Sequence, residues 1–196
     1  MMKKSVGNML MIIGCVLFIT VCYGMIENKI HQKELIESFS AIQNETALAS
    51  DVEVENTPTK KDSIATSILR IPSIQLESPV IDGATSDKLN RALGMIENLD
   101  APGTPNGSSA IAGHQSHQFG YFFNRLNELQ LGDKFELDVS TDTLVYEVFD
   151  IQIVKPNNVE ILNRQEGITM LSLITCYPER SNKYRLVVQA KQVEHQ

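Results

Sequence analysis

Leu171-Ser172-Leu173-Ile174-Thr175-Cys176 is an apolar, β-prone run that ends on a thiol. It reads as a buried strand carrying a cysteine at its tip, just before Tyr177-Pro178 breaks the pattern. The same texture recurs on both sides of it. Downstream, Glu179-Arg180-Ser181-Asn182 is a turn and Tyr184 to Val193 a last strand, with Arg185 near its start. Upstream, Asn157 to Leu162 reads as a loop with one helical turn. Lys134 to Val139 and Thr143 to Val154 alternate as half-buried strands do, joined through Ser140-Thr141-Asp142.

Further towards the N-terminus, Phe122 to Leu129 is a short helix or turn, and Ser109 to Gly113 a strand ending at His114. Pro102, Gly103, Pro105 and Asn106-Gly107 make Ala101 to Ser109 a dense turn signal. Ser86 to Ile96 is expected to be helical, with Ser86 as its cap and Leu89, Leu93 and Ile96 on one face. Ile68 to Ile71 and Leu76 to Ile81 are short strands punctuated by Pro72, Pro79 and Asp82-Gly83. Seven or eight short strands with little helix predict an all-β domain, a closed antiparallel-rich barrel or a sandwich. Its size suffices for one hydrophobic core.

Before this domain the composition changes twice. Ser50 to Thr66 is charged and poor in large apolar residues, a linker composition. Glu27 to about Ala49 carries apolar residues at the spacing of a marginal amphipathic helix. From Ser5 to Ile26 there is no charged residue. The eighteen residues from Met9 to Ile26 would span roughly 27 Å as a helix, close to the thickness of a bilayer's hydrocarbon layer. The expected organisation is a short cytoplasmic N-terminus (1–8), a transmembrane helix (9–26), an extracytoplasmic helix and linker (27–66) and a β-domain (67–196). A cleaved signal peptide should have a shorter apolar run ending at a small-x-small site. Ile12-Ile13-Gly14-Cys15 looks like a lipoprotein box, but the apolar run continues past Cys15. Lys3 and Lys4 before the helix nearly balance Lys29 and Lys33 after it, and the very short N-terminal side favours N-in, C-out.

The net charge of −7 supplies no basic footprint, which argues against nucleic-acid partners. Three cysteines, two of them (Cys15 and Cys22) inside the apolar segment, offer no C-x-x-C and no H-E-x-x-H, so no zinc site and no other metal or cofactor is expected. Cys15 and Cys22 read as lipid- or helix-facing apolar residues, or as a dimer disulfide. That leaves Cys176 alone in an outward-facing domain, where cysteines are normally paired. It is either a small apolar filler or a nucleophile.

A nucleophilic thiol needs a cation or imidazole to raise its thiolate character. His114, after Ile111-Ala112-Gly113, is the candidate acid–base group, and Gly113 allows close backbone approach or an unusual dihedral. His117 is the rival, in the more exposed Gln115-Ser116-His117-Gln118. Arg185 is the candidate oxyanion stabiliser, because a guanidinium stays charged and presents fixed donors. Arg180 is its rival. Thr175 and Ala112, beside the cysteine and histidine, are the candidate substrate-binding residues. The joint occurrence of cysteine, histidine and arginine at three strand ends is the stronger signal.

Ala112-Gly113-His114, then Leu173-Ile174-Thr175-Cys176, then an arginine opening the last strand, resembles the sortases, the membrane-anchored cysteine transpeptidases of Gram-positive bacteria. The resemblance covers about Ile68 to Val193 and includes Lys155-Pro156-Asn157-Asn158-Val159, similar to a recurring loop of that family. The family's usual Thr-Leu-x-Thr-Cys stands here with Ser172 in its first place, which keeps the hydroxyl. The compact domain and anchor look most like class D, and class A is similar in layout.

The resemblance implies an eight-stranded sortase β-barrel with short helices. It implies Cys176 as nucleophile, His114 as general acid/base and Arg185 as stabiliser of the tetrahedral oxyanion. It also implies cleavage after Thr in a Leu-Pro-x-Thr-Gly or Leu-Pro-x-Thr-Ala sorting signal. The acceptor would be an amine of a peptidoglycan stem peptide or lipid-linked precursor. Some class A members use calcium on acidic loop residues; Glu160 and Glu166 lie in the corresponding region but read as isolated surface acids. Two rivals are a tethered β-domain that binds a wall or protein ligand with Cys176 inert, and a purely hydrolytic cysteine protease.

Overall fold

The computed structural model describes residues 65–115, 122–140 and 142–194, together with positions 11, 14, 15, 36 and 37. Two units separate, Met1–Glu34 and Leu35–Gln196. In the first, Met11, Gly14 and Cys15 are helical. The expected transmembrane helix over 9–26, the linker and His117 otherwise lie outside the described residues. No helix of the described residues is long and apolar enough to cross a membrane.

The described part of the second unit forms eight strands: β1 (Ser67–Ile71), β2 (Leu76–Asp82), β3 (Leu93–Met95), β4 (Ser108–Ala112), β5 (Lys134–Val139), β6 (Asp142–Val154), β7 (Met170–Tyr177) and β8 (Tyr184–Val193). They close into a barrel in the order β1-β2-β3-β4-β7-β8-β6-β5, with β5 pairing back onto β1. Closure removes every sheet edge that would otherwise template aggregation. The β2–β3 and β4–β7 pairs are parallel and the others antiparallel. The all-β expectation holds, as a barrel rather than a sandwich.

Alternation along each strand puts one face inside. Leu69, Ile71, Val80, Leu93, Ile111, Leu137, Val148, Leu171, Leu173, Leu186, Val188 and Ala190 fill the barrel. Phe135 and Tyr146, direct partners across β5 and β6, stack in it with ring centroids 5.7 Å apart. Each fully buried aliphatic side chain contributes about 1.5–3 kcal/mol relative to exposure, so this interior dominates the stability of the domain.

One expected element differs. The helix anticipated over Ser86 to Ile96 ends at Leu89, and Leu93–Met95 forms β3 instead. Leu89, Leu93 and Ile96 satisfy a helical spacing, but Leu93 is fully buried and fills the barrel between β2 and β4. Gly94 explains the rest. A Cβ there would stand 2.5 Å from the Gly83 carbonyl oxygen and 2.9 Å from Ala84 Cα, so only glycine lets β3 lie this close to the end of β2. Tertiary packing overrides the local period.

Candidate active site

The site face follows from strand parity. Leu171 and Leu173 of β7 point into the core, so Ser172, Ile174 and Cys176 point outward. On β8, Leu186, Val188 and Ala190 point inward, which turns Arg185, Val187 and Gln189 outward. On β4, Ile111 points inward and Ala110 and Ala112 outward. The registers then assemble rows on the outer face. Cys176 pairs with Arg185, Ile174 with Val187 and Ser172 with Gln189; Ala112 lies beside Ile174 and Ala110 beside Ser172. Val154 of β6 extends the Cys176–Arg185 row on its far side.

His114 joins this face from β4. The parallel register that aligns Ala112 with Ile174 brings residue 114 level with Cys176 when carried two residues further. The hydrogen bonds past the strand end keep that alignment. Gly113 N donates to Ile174 O at 3.0 Å, and Thr175 Oγ1 donates to Gly113 O at 2.8 Å. Phe123 N donates to His114 O at 3.1 Å, tying the next segment to the histidine backbone. Gly113 is glycine because of close approach, one of the two reasons considered. A Cβ would meet Leu93 Cδ2 at 2.6 Å and the Phe123 ring at 2.7 and 2.9 Å.

Cys176 is a free thiol and half-buried, as is His114. Arg185 is half-buried, its Nη1 donating to Tyr184 O at 3.0 Å and Asn182 O at 3.2 Å. Those bonds hold the guanidinium against the β7–β8 turn. Arg180, the alternative, is exposed in that turn with a left-handed φ of 63°. Of the two candidate substrate contacts, Ala112 is half-buried on the outer face. Thr175 is 3% exposed and spends its hydroxyl on Gly113.

Sequence reasoning missed how the β6–β7 connection is fastened over this face. Its 3-10 turn, Val159–Leu162, is held by two buried side chains of the sheet. Ser108 Oγ donates to Leu162 O at 2.7 Å, and Gln189 Nε2 donates to Ile161 O at 2.7 Å. Arg164 Nε donates to Asp100 Oδ2 at 2.8 Å, and its Nη2 bonds Oδ1 of the same carboxylate. The Arg164 guanidinium, helped by the Ser108 backbone N–H, holds the Asp100 carboxyl below the usual carboxylate range. Gln189 sits on a strand the sequence located, and Ser108, expected in the turn before β4, is that strand's first residue, but a single sequence leaves no sign of partners this far along the chain. Glu160 and Glu166 are exposed, and the described residues contain no group of three or more histidine, cysteine or acidic side chains placed to hold a metal ion.

The sortase domain model matches residues 69–193, nearly the whole barrel. The chain is 32% identical over 114 residues to Sortase D of Bacillus subtilis, spanning 58% of this chain and 55% of that protein. It is 31% identical over 186 residues to Sortase A of Staphylococcus aureus, covering 89% of each. Among solved structures, Sortase C of Streptococcus pneumoniae superposes with a TM-score of 0.65 at 28% identity, over 84% of this chain and 90% of that one. A Clostridium perfringens Sortase D5 transpeptidase gives 0.64 at 26% identity, over 85% and 98%. With a family model covering well over half its length and a relative of this identity aligned along most of it, the chain belongs to the sortase family of cysteine transpeptidases.

Proposed function

We propose that this protein cleaves a Leu-Pro-x-Thr-Gly-like sorting signal after threonine and joins the threonine carbonyl to a cell-wall amine. Cys176 Sγ attacks that carbonyl and forms a C–S bond. Arg185 stabilises the oxyanion that develops, since its fixed, permanently charged donors suit a growing negative oxygen. The C–N bond then breaks as His114 protonates the departing amine. The thioacyl-enzyme waits for an amine from a peptidoglycan stem peptide or lipid-linked precursor. His114 takes the proton of that amine as it attacks, a new amide forms, and the thiol leaves.

The observation that carries this reading is the row on the outer face: Arg185 directly opposite Cys176, with the His114 segment aligned on the other side. Ala112 lines the same face and is assigned to contact the signal peptide. Thr175 is assigned to the site through its backbone, because its hydroxyl is engaged with Gly113. The apolar segment 9–26 would hold the enzyme in the cell membrane with the barrel outside. Tethering enzyme and substrate at one surface raises their effective concentration.

Incubation with a Leu-Pro-x-Thr-Gly peptide, followed by mass spectrometry, should show an acyl adduct on Cys176. Added amine should convert the adduct into an amide product. Absence of any adduct across several such peptides would leave a binding domain with an inert cysteine. Hydrolysis untouched by added amine would leave a protease.

A further inference from the structure

We propose that Asp100 and Arg164 are a positioning pair for this site: together they hold the β6–β7 connection in place beside the path to Cys176. The inference rests on the transpeptidase reading and extends it to residues that touch no reacting atom. Residues 155–169 connect β6 to β7 with no regular structure beyond the turn Val159–Leu162. Such a segment adopts one position only if something fastens it.

The fastening is a closed ring. Asp100 N donates to Ser108 O at 3.0 Å, and Ser108 N donates back to Asp100 Oδ2 at 2.8 Å. Ser108 Oγ reaches Leu162 O, and two residues later Arg164 returns to both oxygens of Asp100. The ring therefore joins the β3–β4 connection, the first residue of β4 and the end of the 3-10 turn. Ser108 is buried and the Asp100 side chain only 17% exposed, while the Arg164 side chain is 68% exposed. The carboxylate is the fixed half and the guanidinium the half that can let go.

The geometry matters for the site because the turn rests on the Ser172–Gln189 row. That row lies four residues along β7 from Cys176, roughly 13 Å at about 3.3 Å per residue. The strip of Ala112, Ile174 and Val187 lies between the two. Val187 is buried while Ala112 and Ile174 are half-buried, so a peptide reaching Cys176 over those two would run beside the turn. Exposed ion pairs add little to overall stability. Releasing this one should therefore act on the position of the connection and leave the barrel folded.

The test uses full-length protein, a Leu-Pro-x-Thr-Gly peptide substrate and the variants Asp100→Asn and Arg164→Gln, singly and together. The Asp100→Asn change keeps the side-chain shape and leaves an amide oxygen for the Ser108 N–H. The expected result is a three- to tenfold rise in KM with kcat within twofold, an effect in the double variant no larger than in either single one, and faster amide hydrogen exchange over 159–165 alone. Raising salt should increase KM in the unmodified protein more than in Arg164→Gln. Unchanged KM, or losses that add in the double variant, would overturn the pairing, as would unchanged exchange. Failure of the unmodified protein to acylate Cys176 would sink the activity instead, and the exchange rates would still decide whether the pair holds the segment.

Discussion

Cys176 and Arg185 are direct partners across the antiparallel β7–β8 ladder, so their side chains leave the same face of the sheet. Partners in such a ladder have Cα atoms about 4.5–5.5 Å apart, and no loop movement is needed to bring the two groups together. Cys176→Ala should abolish adduct formation completely. Arg185→Ala should lower the acylation rate about 10²–10³-fold, the usual effect of removing one oxyanion donor. Arg185→Lys should recover only part of it, because an ammonium lacks the planar fork. Single-turnover kinetics with the signal peptide, alongside melting curves, checks this. An Arg185→Ala enzyme as fast as the parent would remove arginine from the mechanism.

Gly113 makes a second prediction, joining stability to activity. An alanine methyl would press on Leu93 and the Phe123 ring at distances real side chains do not tolerate, and both neighbours are fully buried. Overpacking of this kind costs about 1–3 kcal/mol. Because Phe123 N also bonds His114 O, relief by moving Phe123 would shift the histidine. Gly113→Ala should therefore lower both Tm and turnover, and Phe123→Leu in the same chain should restore part of each. A fully active, fully stable Gly113→Ala protein would contradict the close packing.

Thr175 separates a fold role from a binding role. Its buried hydroxyl donates to Gly113 O, the residue before His114. Thr175→Val keeps the shape but leaves that carbonyl without the bond, at about 1–3 kcal/mol. Thr175→Ser should keep most of the stability. Calorimetry and peptide kinetics together decide the matter: a lower Tm with nearly unchanged KM for Thr175→Val assigns the hydroxyl to the fold. A large KM change at unchanged Tm would assign it to substrate.

The parts of this fold legible in the sequence are those written locally. The alternation of Lys134 to Val154 and the apolar runs before Cys176 and after Arg185 located the last four strands to within two residues, because one buried face imposes a period of two. Leu89, Leu93 and Ile96 misled for a related reason: three apolar residues at this spacing suit a helix and also suit a helical turn followed by a short strand. What could not be read was pairing. The parallel alignment of β4 with β7 joins residues some sixty positions apart, and the Asp100–Arg164 ring joins residues 64 apart. Neither leaves a local mark. The cysteine, histidine and arginine could be named from their strand ends and a family likeness, while their common face emerged only from the registers.

Tyr146 supplies a test of the barrel interior that is independent of catalysis. It is fully buried, stacked on Phe135, and burial pushes its phenol up to about 12. Its unfolded value is near 10, so the native state holds the proton more tightly. Below about pH 10 both states are protonated and the full contribution is present. Between about pH 10 and 12 the unfolded chain ionises first, and stability falls by an amount on the order of 2 kcal/mol. Tyr146→Phe removes the titrating group while keeping the ring. Urea unfolding from pH 8 to 12 should show a steeper alkaline loss in the parent than in Tyr146→Phe, with little difference in slope below pH 9. Parallel curves up to pH 12 would mean that the phenol ionises as freely inside the barrel as in water, and that the interior is open to solvent at this ring.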